Sequence, residues 1–215
     1  MKIYKPNKIR ESENAFDFID LLLENELDLE EKMLNLSSAY EKLILTPGAI
    51  DKLIGDLFYN LNTPLSFSRK GDNNERVDAK APLGDGNLGI IEIEVPSTAM
   101  LDAPRNLLDD IAVEVNRNKS KLEQIIPITL CWTFPNNRSD YWNVVHDIKK
   151  VLNIKIKTIS IMSLAVCYWT EHKLELKDET FYVDIDNNEL KIIIDILSPK
   201  GIDTTKFEGF FSPYK

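Results

Sequence analysis

Apolar residues recur every three or four positions along three stretches of the N-terminal part, which is the spacing of an amphipathic α-helix. A Pro-Gly pair at 47–48 is expected to end the second of these helices. The apolar positions are Phe16, Ile19, Leu22 and Leu23 in the first, Met33, Leu36, Tyr40, Leu43 and Ile44 in the second, and Ile50, Leu53, Ile54, Leu57 and Phe58 in the third. We therefore predict a helical part over residues 1–62.

The pattern changes to a period of two near residue 90. Residues 90–95 alternate, so that Glu92 and Glu94 fall on one face of a strand and the neighbouring apolar residues on the other. The Gly-rich segment 83–87 predicts a tight turn that folds Asp78 back beside this strand. Three carboxylates are thus expected to meet at one end of a hairpin.

The next part of the chain predicts helix, strand and helix. Asp102, with a proline two residues later, is expected to cap the first helix. Residues 125–134 form an apolar run, which is typical of a strand covered on both faces of a sheet. Ser139 is expected to cap the second helix.

The C-terminal third predicts strands. We expect strands around residues 154–161 and 164–170, and a hairpin over 180–196 that turns on Asn187-Asn188. The tail, 207–214, carries four aromatic residues and is expected to pack on the body or on a second subunit.

This order of elements predicts an α/β fold with a central mixed β-sheet and helices on both of its faces. The chain has 215 residues without repeats, low-complexity segments or linkers. We therefore expect one domain, divided into the helical part at 1–62, a core at 75–160, and C-terminal strands and tail at 161–215.

Composition excludes few classes of function. With 43% hydrophobic and 28% charged residues, the sequence is typical of a soluble globular protein. The formal net charge of −9 argues against a protein that coats nucleic acid without specificity, but not against a nuclease whose carboxylates bind metal ions. The N-terminus has no apolar leader, and no apolar run is long enough to span a bilayer, so we expect a cytoplasmic protein. Cys131 and Cys167 lie in apolar runs, which predicts buried free thiols.

The acidic hairpin is the feature that carries chemistry. Clustered carboxylates repel each other at neutral pH unless a cation neutralises them, and hard divalent ions such as Mg²⁺ prefer oxygen ligands. Asp78, Glu92 and Glu94 therefore point to metal-assisted hydrolysis of phosphodiester bonds. The simpler alternative is a half-exposed hairpin with glutamates on its wet face.

Two stretches resemble the PD-(D/E)XK nuclease superfamily. The similarity is greatest to type II restriction endonucleases in which the motif lysine is replaced by Glu or Gln, and among these to enzymes that cut palindromes with a GATC core. The stretches are Arg76-Val77-Asp78 with Glu92-Ile93-Glu94-Val95-Pro96-Ser97, which resembles the catalytic hairpin, and Thr133-Phe134-Pro135-Asn136-Asn137-Arg138-Ser139-Asp140-Tyr141, which resembles the loop that reads bases.

The resemblance implies a homodimer that cuts double-stranded DNA with Mg²⁺, for which Mn²⁺ would substitute. It implies that Asp78 bridges the metal ions, that Glu92 is a metal ligand, and that Glu94 orients the attacking water. Ser97 would lie near that water. The implied base-reading residues are Asn136, Asn137, Arg138 and Ser139, whose amide and guanidinium groups suit paired hydrogen bonds to a base edge. Turn formation and helix capping are the alternative role for this loop.

The sequence also departs from the family. Val77 stands where a proline usually precedes the aspartate. Lys80 is either a relocated catalytic lysine that binds the scissile phosphate, or an ion-pair partner of Asp78 or Glu92. Some relatives have an additional acid from the N-terminal helices, for which the candidates are Glu41, Asp51 and Asp56.

Two alternative functions stay open at this point. One is a nuclease-like fold that has lost its chemistry and serves as a binding or assembly module. The other is a metal-dependent nuclease that acts on RNA or branched DNA.

Overall fold

The structure is a computed structural model that describes residues 2–6, 16–68, 77–97 and 99–214. Arg76, the first residue of the family-like motif, lies outside the described residues. The helices and strands are numbered below in chain order.

Four helices form the N-terminal part, as the apolar spacing predicts. They are α1 (Asp17–Glu24), α2 (Leu29–Ser38), α3 (Tyr40–Leu45) and α4 (Ala49–Asn60). The predicted second helix is divided at Ala39, whose N–H bonds to the carbonyls of both Asn35 and Leu36. Helix α4 is the most deeply buried of the four, because every residue from 53 to 58 lies in the core.

A six-stranded mixed sheet forms the centre of the fold, and its spatial order is the chain order. Strands β1 to β4 pair antiparallel, whereas β4, β5 and β6 are parallel. Helix α5 (Ala103–Arg117) packs on β4 and β5, and the N-terminal helices α2 and α4 pack on the helix at Ile161–Trp169, which follows β6. The predicted α/β fold with a mixed sheet is therefore confirmed. The strands are β1 (Lys2–Ile3), β2 (Ser66–Phe67), β3 (Ala79–Pro82), β4 (Leu88–Glu94), β5 (Ile125–Cys131) and β6 (Lys157–Ser160).

The two helices of the middle part are present. Helix α5 spans Ala103–Arg117 and α6 spans Asp140–Leu152. Ser139 caps α6 by accepting a hydrogen bond from the backbone of Tyr141 at 3.3 Å, as predicted. Asp102 precedes α5 but does not cap it through its side chain, which instead accepts a bond from Arg105.

The strand predicted at 164–170 is wrong, because this segment lies in helix α7 (Ile161–Trp169). Ser160 caps this helix by accepting a hydrogen bond from the backbone of Ser163 at 3.1 Å. The helix is buried on nearly all sides, and an apolar run without periodicity looks the same in a buried strand and in a buried helix.

The hairpin predicted at 180–196 is also wrong. Val183 forms one isolated antiparallel bridge, to Thr158 in β6. The side chain of Asp184 then accepts the backbone N–H groups of Asp186 and Asn187, which makes a turn. Helix α8 (Lys191–Leu197) follows this turn.

The aromatic tail packs on the body, through the buried side chains of Phe207, Phe210 and Phe211. Its carbonyl groups at Gly209 and Phe210 accept bonds from the backbone of Phe134 and from the side chain of Ser160. The tail therefore supports the loop that follows β5.

Both cysteines are buried and free, and Cys167 lies in α7 rather than in a strand. Of the helices in the described part of the chain, not one combines the length and the apolar character that crossing a membrane requires.

Candidate active site

The hairpin of β3 and β4 brings Asp78 to the end of β4. Ala79 pairs with Ile91 and Lys80 with Ile90, so one further antiparallel step places Asp78 level with Glu92. The Oδ2 atom of Asp78 accepts a hydrogen bond from the backbone N–H of Ile93 at 2.9 Å. The turn at 83–87 therefore folds Asp78 back beside β4, as predicted.

Three further segments reach the same edge of the sheet. Glu94 pairs with Cys131, the last residue of β5, and Cys131 pairs with Ser160, the last residue of β6. The carboxyl ends of the parallel strands therefore lie together with Asp78, and the loop at 133–139 begins there. In open α/β sheets, ligands bind at the carboxyl ends of the strands.

Glu92 is the most strongly perturbed acid of this edge. Its side chain is buried, and its Oε1 atom accepts a hydrogen bond from Nδ2 of Asn106 in α5 at 2.7 Å. Burial, followed by the charge of Asp78, raises the pKa of Glu92 to about 8; the charges of Asp110 and Glu94 also raise it, whereas the bond from Asn106 lowers it.

Glu94 has the same kind of environment. It is buried at the end of β4, and burial, followed by the charges of Asp78 and Asp102, raises its pKa to about 7. A hydrogen bond from the backbone N–H of Ala99 opposes this shift. Ser97 donates from its hydroxyl to the carbonyl of Glu94 at 3.2 Å, so this side chain fixes the bend after β4.

Asp78 is partly buried, and its pKa is raised above its usual value. Burial is the largest cause, the bond from the backbone of Ile93 opposes it, and the charge of Asp51 adds to it. Asp78 and Asp51 line one cavity of about 270 Å³ together with Ile93 and other residues. Of the three N-terminal acids, Asp51 is therefore the one that faces Asp78.

The other two N-terminal acids lie elsewhere. Asp56 is buried in α4, where it accepts the hydroxyl of Tyr4 at 2.6 Å and pairs with Lys52. This acid holds the N-terminal segment onto α4. Glu41 is exposed on α3.

Lys80 pairs with an acid of α5 that was not among its predicted partners. Its Nζ atom lies 2.5 Å from Oε2 of Glu114 in α5, rather than against Asp78 or Glu92. Glu114 is buried and also accepts bonds from Asn118 at 2.6 Å and Ser120 at 2.8 Å. The expected pairing of Lys80 with Asp78 or Glu92 is therefore wrong, and this lysine is held at the last turn of α5.

The backbone of the loop at 136–139 is held by hydrogen bonds, and its first three residues are exposed. The Oδ1 atom of Asn136 accepts the backbone N–H of Arg138 at 2.8 Å, and Ser139 caps α6, so these two residues have the turn and capping roles. The backbone N–H of Asn137 bonds to the carbonyl of Tyr214 in the tail at 2.8 Å. The side chains of Asn137 and Arg138 are exposed at the edge where the acids lie.

Carboxylate oxygens are the donors that a hard divalent cation prefers. In residues 2–6, 16–68, 77–97 and 99–214, however, no group of three or more His, Cys, Asp or Glu side chains is placed to hold a metal ion. The hydrogen bonds account for this arrangement: Asp78 turns to Ile93, Glu92 to Asn106, and Glu94 to Ala99. Acids that repel each other without a cation between them each turn to a separate donor.

The contribution of α5 to the site was not predicted from the sequence. Asn106 and the buried acids Asp110 and Glu114 follow one another at intervals of four residues, which places them on one helix face. A polar stripe that interrupts an otherwise amphipathic helix was the available signal, but the sequence alone does not say which strand such a stripe meets.

Searches for similar proteins leave the family open. No protein-family model, no curated protein and no solved structure matches this chain.

Proposed function

We propose that this protein is a Mg²⁺-dependent endonuclease that cuts double-stranded DNA at specific sites and acts as a homodimer. The observation that carries the proposal is the position of Asp78, level with Glu92 on the neighbouring strand, at the sheet edge that also holds Glu94 and the exposed loop 136–139. The likeness to the PD-(D/E)XK nucleases rests on the same residues.

The donor set supports a divalent cation. Asp78, Glu92 and Glu94 are acids gathered within one hairpin, and the charge of Asp78 raises the pKa values of both glutamates. When bound, Mg²⁺ supplies positive charge that polarises a water nucleophile and offsets the charge of the scissile phosphate. In this proposal Asp78 and Glu92 hold the cation, and Mn²⁺ substitutes for it.

Glu94 is proposed to orient the attacking water and to accept its proton. Its raised pKa of about 7 suits this role, because a general base works best when its pKa lies near the pH of the reaction. Ser97 supports this site through its hydrogen bond to the carbonyl of Glu94, rather than through direct contact with the water.

Asn137 and Arg138 are proposed to read bases, since both are exposed, whereas the exposed side chain of Asn136 accepts a hydrogen bond within the turn. Asn136 and Ser139 shape the turn that presents them. In a homodimer, two copies of this loop would read the two halves of a palindromic site.

A plasmid cleavage assay tests this function. We expect the protein with Mg²⁺ to give discrete DNA fragments, and Asp78→Asn or Glu92→Gln to abolish them. Glu123→Gln is the control, because this exposed acid lies just before the opposite end of β5. Plasmids of many sequences that all stay intact, with Mg²⁺ and with Mn²⁺, would contradict the proposal. Parallel reactions with RNA, single-stranded DNA and branched DNA identify a nuclease of different substrate class.

A binding or assembly module without chemistry is the second candidate. The observation that favours it is the arrangement of the acids in the described residues, where no three are placed to hold a metal ion. This candidate predicts no heat of Mg²⁺ or Mn²⁺ binding by calorimetry. A binding heat that Asp78→Asn removes would exclude it.

A further inference from the structure

Helix α5 presents a polar stripe to the acidic hairpin. The stripe consists of Asn106, Asp110 and Glu114, and it lies on the helix that packs against β4. Two of its members make close contacts with the hairpin: Asn106 bonds to Glu92, and Glu114 pairs with Lys80. The helix therefore gives Glu92 a neutral partner and Lys80 an acidic one.

The choice of partners has an electrostatic consequence. A lysine beside Glu92 would neutralise the carboxylate and occupy the place where a cation would bind. Lys80 is instead held at 2.5 Å by Glu114, which also accepts bonds from Asn118 and Ser120. The donor to Glu92 is an amide, which fixes the orientation of the side chain and carries no charge of its own.

The contact between Asn106 and Glu92 is also specific for one oxygen. Nδ2 of Asn106 lies 2.7 Å from Oε1 of Glu92. An acid held through one oxygen keeps its second oxygen for another ligand, and residues that hold metal ligands in this way tune metal affinity.

We propose that Asn106 is a positioning residue for metal binding: its amide orients Glu92, so that the carboxylate meets the divalent cation that Asp78 also contacts. This inference rests on the proposed function, because it assigns Asn106 a role toward the same cation. Asn106 itself does not touch the cation or the DNA.

A purely structural role is the alternative, since any donor to a buried acid stabilises the fold. The chain offers a matched control. Asn118 is the C-cap residue of the same helix and donates to another buried acid, Glu114, at 2.6 Å. Asn106→Ala and Asn118→Ala therefore remove the same kind of hydrogen bond, and only the first bond reaches the candidate metal site.

The experiment compares the two variants with the wild type by three measurements. Mn²⁺ binding is followed by electron paramagnetic resonance of the free ion, the Mg²⁺ concentration at half-maximal cleavage is separated from the maximal rate, and thermal unfolding is recorded without divalent ions. For Asn106→Ala we expect Mn²⁺ affinity about ten-fold weaker and a half-maximal Mg²⁺ concentration about ten-fold higher. For Asn118→Ala we expect both values to stay within about two-fold of the wild type.

A conservative variant completes the test. Asn106→Gln keeps an amide donor at a position that is exposed to solvent, where a longer side chain has room. We expect it to keep Mn²⁺ affinity within about three-fold of the wild type.

The outcomes separate the two proposals. If Asn106→Ala binds Mn²⁺ as the wild type does, or if both alanine variants lose the same affinity, the positioning role is overturned while the proposed function stands. If the wild type binds no Mn²⁺ and cuts no nucleic acid, the proposed function fails and the positioning role fails with it.

Discussion

Replacing Glu92 with glutamine should stabilise the protein at alkaline pH when no divalent cation is present. Burial and the charge of Asp78 raise the pKa of Glu92 to about 8 in the folded protein, from the 4.5 of an ordinary glutamate. Glutamine has nearly the same shape, and its carbonyl oxygen can still accept the hydrogen bond from Asn106. The substitution therefore removes the charge and keeps the contact.

The sign of the effect follows from proton linkage. Below pH 4.5, Glu92 is protonated in the folded and in the unfolded protein, so the carboxyl group does not affect the free energy of unfolding. As the pH rises from 4.5 to about 8, the unfolded chain ionises first, and the wild type loses stability. Above pH 8 the loss is complete. The glutamine variant does not undergo this loss.

Each pKa unit between the two states corresponds to about 1.4 kcal/mol, so full conversion of the shift sets an upper limit of about 5 kcal/mol. Solvent near the edge of the sheet screens the group. We therefore expect the variant to be more stable than the wild type by about 1–2 kcal/mol at pH 8.5, and about equal to it at pH 4.

Urea unfolding at several pH values, in buffer that contains a chelator, measures this difference. Glu114→Gln is the matched control, because Lys80 and the other donors lower the pKa of this buried glutamate despite its burial. A lowered pKa stabilises the fold above pH 4.5, so this variant should be less stable than the wild type at neutral pH by about 1–3 kcal/mol.

A divalent cation should reverse the order of stability, so that the wild type becomes more stable than the Glu92→Gln variant. Mg²⁺ at one hundred times its dissociation constant would stabilise the wild type by about 2.7 kcal/mol, which exceeds the expected difference of about 1–2 kcal/mol, and would not stabilise the glutamine variant. A Glu92→Gln protein that is less stable than the wild type at pH 8.5 without cation, or a difference that does not change with pH, would refute the reasoning.

Three further predictions concern the loop after β5 and the tail. Arg138→Ala should weaken DNA binding, seen by fluorescence anisotropy, and leave the urea midpoint unchanged, because the side chain is exposed; a large loss of stability would contradict this. Ser139→Ala should cost about 1 kcal/mol in urea unfolding, since it removes the cap of α6; an unchanged midpoint would show that the cap is not needed. Gly209→Ala should cost about 1–3 kcal/mol, because Gly209 has a φ of 81° and a Cβ there would meet the ring of Tyr214; wild-type stability would contradict this contact.

The sequence predicted those elements whose signals are local. The hairpin of β3 and β4 follows from a period of two joined to a Gly-rich turn, and α6 follows from a serine cap before an apolar stripe. Helix α7 could not be predicted in this way, because its residues are apolar on every side and show no period. The turn at Asp184 hid the start of α8, since its Asp and Asn residues are also typical of a hairpin turn.

In the candidate site, too, the sequence predicted what depends on local signals and not what depends on packing. The position of Asp78 beside β4 follows from the turn alone. The partners that α5 gives to Glu92 and Lys80 depend on how a helix packs across the sheet, and a single sequence does not contain that information. The choice of Asp51 among three N-terminal acids likewise depends on which end of α4 faces Asp78.

A crystal structure determined with Mn²⁺ is the most direct test of the central claim, which is that Asp78 and Glu92 hold one divalent cation. We expect an anomalous scattering peak between these two carboxylates, about 2–2.6 Å from an oxygen of each. A fully occupied Mn²⁺ at another place in the protein, or no peak at millimolar Mn²⁺, would contradict it.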